Sequence, residues 1–135
     1  MDPAAVETRV TTVLGAWAAG SVIVGAALPT SPRLRGFGRQ TAAWGAVDGA
    51  IAAVGTRNRR RRGPTDPARL RRVLVVNAVL DVGYVAAGLV LLRGTPWTTD
   101  RWRGDGAAVV VQGTFLLALD ATAAAALRPA LLRGD

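Results

Sequence analysis

Cysteine, histidine and lysine are all missing from this chain of 135 residues. Without cysteine there are no disulfides, thiolate metal sites or thiol nucleophiles, and without histidine there is no imidazole acid–base chemistry or imidazole ligation. Carboxylates, amides, hydroxyls and backbone are left for chemistry. With no lysine, all 17 basic residues are arginine, in keeping with the alanine, glycine and valine bias of a GC-rich coding sequence. Charge is missing over long stretches. Residues 10–32 carry none, 40–56 carry only Asp48, 73–92 only Asp81, and 106–127 only Asp120. An amphipathic helix of a water-soluble bundle shows a charge about every turn on its wet face. Four apolar stretches of such length instead match the ~20 residues that cross a hydrocarbon core.

The expectation is therefore all-α: one integral membrane domain over 1–135, an antiparallel up-down bundle of four transmembrane helices at about 7–28, 33–57, 67–93 and 105–127. Cap-plus-proline starts support two of these boundaries, Ser31-Pro32 and Asp66-Pro67. Asp105 is placed as the cap of the fourth helix, which is read as ending before Pro129. The first stretch is read as a retained helix and not a signal peptide. Its apolar run is long, and Asp2 and Glu7 outweigh Arg9 in front of it.

Arginine placement orients the bundle. Arg57, Arg59, Arg60, Arg61, Arg62, Arg69, Arg71 and Arg72 surround the second connection, and Arg9, Arg128 and Arg133 share its side. The opposite side has Arg33, Arg35, Arg39, Arg93, Arg101 and Arg103. The excess places both termini and the second connection in the cytoplasm, N-in/C-in, and Trp97 and Trp102 at the outer headgroup layer. The run Arg59–Arg62, with Arg69, Arg71 and Arg72, is read as contacting anionic lipid headgroups. Net charge +8 without an aromatic platform or soluble domain does not point to nucleic acid.

Orientation converts sequence position into depth. Asp48 is eight residues before Thr56, Asp81 eight after Val73, and Asp120 seven before Leu127. At ~1.5 Å per residue all three lie roughly 10–12 Å from the cytoplasmic end. Carboxylates are costly there and mark function by default. Gln40, Trp44 and Asp48 share one face of the second helix, and Asn77, Asp81 and Tyr84 one face of the third. Gln112 and Asp120 share a broader face of the fourth, and Trp17 lies near the same level. Ser21/Gly25 and Gly45/Gly49 are small-xxx-small pairs, read as packing within one chain in preference to dimerisation.

Trp44-Gly45-Ala46-Val47-Asp48, Asn77-Ala78-Val79-Leu80-Asp81 with Tyr84, and Gln112-Gly113-Thr114-Phe115-Leu116-Leu117 with Asp120 resemble the motifs of a family of small four-helix bacterial integral membrane proteins. The resemblance spans about 37–120. That family is of unknown function, so the resemblance implies the fold and the polar layer but no activity. The small multidrug type differs, since it expects a membrane-depth glutamate in its first helix. Asn77 and Asp81 match only the opening of the aspartate-rich motif of intramembrane prenyltransferases.

Three acids at one depth in a dry site cannot all be ionised without a cation. The leading expectation is an inner-membrane protein binding and translocating a small cation or cationic solute coupled to protons. Asp48, Asp81 and Asp120 would carry charge, Asn77, Gln112, Tyr84 and Gln40 would orient them, and Trp44 and Trp17 would wall the site. Four helices enclose little volume, so a pathway would call for a homodimer. No cofactor is expected. The alternatives are an intramembrane enzyme acting on a lipid or isoprenoid, and an assembly subunit whose polar layer is purely structural.

Overall fold

The computed structural model describes residues 2–28, 31–94 and 99–133. Trp97 and Pro29 lie outside them. Four helices follow in order: α1 (Pro3–Ala27), α2 (Pro32–Arg62), α3 (Pro67–Arg93) and α4 (Asp100–Arg133). Ser31 and Asp66 cap as their sequence suggests: the Leu34 amide donates to Ser31 Oγ at 3.2 Å, and the Arg69 amide to Asp66 Oδ1 at 2.8 Å. Asp2-Pro3 is a third start of this kind, with the Ala4 amide donating to Asp2 Oδ1, and it begins α1 four residues before the expected position.

Three other boundaries also exceed the expectation. α2 continues through the arginine run, since arginine propagates helix well, and stops at Gly63, whose φ of +81° suits a residue without Cβ. α4 begins at Asp100, so Asp105 falls in its second turn. There it pairs with Arg39 at 3.0 Å and ties α4 to the start of α2, a role in place of the expected cap. Pro129 does not end α4, which runs through it to Arg133. Leu127 and Ala130 are buried on either side, and this packing offsets the lost backbone hydrogen bond.

Three helices, α1, α3 and α4, are long and apolar enough to cross a membrane. α2 is not among them, against the expected four. Its glycines, together with Gln40, Thr41 and Asp48, dilute its hydropathy, and these residues face other helices or a cleft. Large apolar side chains such as Ile23, Val54, Val79 and Val90 project outward from the bundle, each more than half exposed or close to it. An apolar outer surface with carboxylates inside inverts the pattern of a water-soluble bundle.

The buried positions repeat at heptad spacing. On α1 the stripe is Glu7, Leu14, Ala18, Ser21 and Gly25, with Val6 buried beside it; on α2 it is Gly38, Thr41, Gly45, Asp48 and Ala52, with Gly36 buried beside it; on α3 it is Leu74, Asp81 and Gly88. Small residues on these stripes bring the backbones together. A Cβ on Gly45 would meet Ala18 and Ser21, and one on Gly25 would meet Gly38 and Ala42, so α1 and α2 pack antiparallel. Both small-xxx-small pairs are thus used within the chain. α3 and α4 pack antiparallel through Gly88 and Gly106, and α2 meets α4 at Gly36 and Gly104.

α2 and α3, though consecutive, form no packed interface. The chain is two helix pairs joined mainly through α2 and α4, with a cleft along the α2–α3 flank. At the end holding both termini, Val6, Leu74, Ala123, Ala124 and Leu127 form the main apolar core. Buried Glu7 fastens the α2–α3 connection over it. Its carboxylate accepts from the Thr65 amide at 2.9 Å and the Thr65 hydroxyl at 2.7 Å.

Candidate functional site

The α2–α3 cleft has a volume of about 660 Å³. Asp48 from α2, Asp81 from α3 and Asp120 from α4 all line it, with Asn77, Trp44, Tyr84 and Gln40. Each acid sits on the buried stripe of its helix, and their exposures are 1 %, 4 % and 7 %. The rim is different. Val47, Ile51, Val73 and Leu80 border the cleft and are each about half exposed. The site is therefore a groove with an apolar, open flank and an acidic floor.

Polar partners are scarce on that floor. Asn77, on α3 with Asp81, lines the cleft as a neutral amide. Asp48 Oδ2 and Asp81 Oδ2 are buried with no hydrogen-bond partner. Among the described residues no arginine lines the cleft. Among the described residues no three acidic side chains converge closely enough to form a metal-ligand set. Trp44 and Tyr84 meet edge-on across the α2–α3 gap, with ring centroids 5.2 Å apart, and bridge the cleft above the acids. An unpaired buried carboxylate oxygen costs more than a neutral polar atom. Two of them facing one cleft need a proton or a cation.

Gln112 and Trp17 do not join this group. Gln112, 1 % exposed, faces α1: its Oε1 accepts from Trp17 Nε1 and its Nε2 donates to Ser21 Oγ at 3.1 Å. Trp17 stacks on Phe115 at 3.9 Å between centroids. This second polar cluster is fully paired and fastens α1 to α4. Replacing Gln112 with leucine leaves the Trp17 Nε1 donor and the Ser21 Oγ acceptor without their partner. The expected cost is about 1–3 kcal/mol in a denaturant titration of the detergent-solubilised protein.

The arginines divide. Arg57, Arg60 and Arg61 border a groove of about 1060 Å³ on the α1–α2 flank, walled by small residues such as Gly15, Ala19 and Ala53. Arg59 donates to Thr11 Oγ1 at 3.2 Å. Arg62, Arg69 and Arg72 are exposed, and Arg71 is half-buried. Trp102 is half exposed on the first turn of α4. Glu7, at the end of the cleft, is the residue that sequence reasoning passed over. Its partner Thr65 is 58 positions away, and no local pattern links them.

The chain belongs to a family of unknown function (DUF6992), whose sequence profile matches residues 13–121. The match includes Asp48, Asp81 and Asp120 and extends well beyond the segment carrying the motif resemblance. No curated protein and no solved structure matches the chain.

Proposed function

We propose that the acidic cleft binds a small cation or cationic solute and exchanges it for protons. The observation that carries this reading is the pair of buried, unpartnered oxygens, Asp48 Oδ2 and Asp81 Oδ2, on the floor of one cleft. A purely structural polar layer would pair its groups, as the Gln112 cluster does. A diphosphate substrate would call for cationic or metal-binding residues, and among the described residues the cleft offers no arginine and no three-acid set. Protons and a monovalent organic cation are the species this floor fits.

In this reading all four helices cross a bacterial cytoplasmic membrane, with both termini and the α2–α3 connection inside. The arginine excess at that end supports the orientation. α2 is shielded by α1 and α4 along its buried stripe, which lets a helix of lower hydropathy span. Arg57, Arg60 and Arg61 then lie at the headgroup level, with the small-walled α1–α2 groove beneath them to seat an acyl chain of an anionic lipid. A homodimer would complete a pathway that four helices alone leave open on one flank.

Proteoliposomes carrying a pH-sensitive dye test the exchange. An inward gradient of a transported organic cation is expected to drive proton efflux. Triple substitution of Asp48, Asp81 and Asp120 with asparagine is expected to abolish it. Cation-driven proton flux that survives the triple substitution sinks the proposal.

A further inference from the structure

The cleft opens sideways, and its opening bears on what can enter. α2 and α3 make no packed interface over its length. Along the flank the wall is Val47, Ile51, Val73 and Leu80, all exposed and all apolar. At one end the core around Leu74 and Leu127 closes it, reinforced by the Glu7–Thr65 latch. Towards the other end the Trp44–Tyr84 pair bridges it. The flank lies on the outward apolar surface that faces hydrocarbon if the bundle spans a membrane. A hydrated ion has no polar route across such a wall, whereas a molecule dissolved in the bilayer meets it directly.

The floor sets the other half of the ligand. Asp48 is 1 % exposed and Asp81 4 %, each with an unpartnered carboxylate oxygen. An ammonium group has several N–H donors to offer such oxygens and carries the charge that balances a carboxylate. The aromatic rings beside them suit a cation further. A volume of about 660 Å³ is far more than an inorganic ion fills. It falls within the ~300–1,000 Å³ of sites that take ligands of drug size.

We infer that the ligand of this cleft is a lipophilic ammonium compound that enters from the bilayer between α2 and α3, its charged head on Asp48 and Asp81 and its hydrocarbon against Val47, Ile51, Val73 and Leu80. This rests on the cation-binding reading above and narrows it to a ligand class and a route.

Equilibrium binding of nonylamine and of methylammonium to the full-length protein in lipid nanodiscs tests the inference. The specific component is the part lost on Asp48→Asn, which corrects for nonylamine partitioned into lipid. Nonylamine is expected to bind at least tenfold more tightly than methylammonium. Val47→Trp and, separately, Leu80→Trp place bulk on exposed positions of the flank. Each is expected to weaken nonylamine at least tenfold and to leave any methylammonium binding unchanged. Methylammonium binding as tightly as nonylamine, or nonylamine binding indifferent to both tryptophans, overturns the lipophilic ligand and its lateral route while the cation site stands. If neither amine shows a component that depends on Asp48, the cation-binding reading falls as well.

Discussion

Replacing Gly104 with valine is expected to be the most destabilising single change in this chain, at about 3 kcal/mol in unfolding of the detergent-solubilised protein. A Cβ at this position would overlap the carbonyl oxygen of Arg33 and stand 3.0 Å from the Phe37 nitrogen. Both neighbours are backbone atoms of a regular helix and cannot rotate away, so α2 and α4 must part. That crossing is the main junction between the two helix pairs, and it also carries the Arg39–Asp105 ion pair. Parting it shifts Asp48 relative to Asp120 and so disturbs the cleft as well. Gly83 supplies the contrast. A Cβ there meets nothing within 4 Å, and the residue lies inside α3. Gly83→Ala is therefore expected to stabilise by about 0.5–1 kcal/mol through helix propensity alone. Equal effects at the two glycines would show that the α2–α4 contact is not a close backbone crossing.

The gathering of the three acids on one cleft was legible in the sequence, and rotation about each helix was less so. Asp48, Asp81 and Asp120 stand out because each is the lone charge of an apolar stretch, and all three line one cleft. Gln112 sits eight residues before Asp120, which at ~100° per residue turns it by about 80° around the helix. That rotation carries Gln112 to α1 and leaves Asp120 on the cleft, so two residues of one broad face serve different neighbours. The small-residue pairs Ser21/Gly25 and Gly45/Gly49 were readable as packing sites because only close backbones need them. The gap between α2 and α3 was not readable. Hydropathy reports that a helix faces apolar surroundings and is silent on whether its neighbour is protein or lipid. Asp105 shows a similar limit. A lone acid before an apolar run reads as a cap, but its partner Arg39 is 66 positions away.

Asp48→Asn is expected to abolish proton-coupled exchange and, at neutral pH, to raise stability by about 1 kcal/mol. The two effects share one cause. Asp48 is almost fully buried and leaves Oδ2 without a donor, so the folded state carries an uncompensated polar group that is costliest when charged. Asparagine keeps the shape and removes the charge. It also removes the group that a proton and a cation would exchange on. The stability gain is expected to shrink as pH falls, because protonation of Asp48 in the parent removes the same charge. A structural polar layer predicts the opposite pairing, with stability lost or unchanged and no ion flux at stake. Asn77→Ala separates the cases further. Asn77 lines the same cleft as a neutral amide, so its removal relieves no charge and is expected to leave stability level or lower it, where Asp48→Asn raises it. Chemical denaturation of both variants at two pH values, alongside flux in proteoliposomes, reads all of these signs. A loss of stability on Asp48→Asn together with undiminished exchange would assign the carboxylate to helix packing and leave the cleft without its cation.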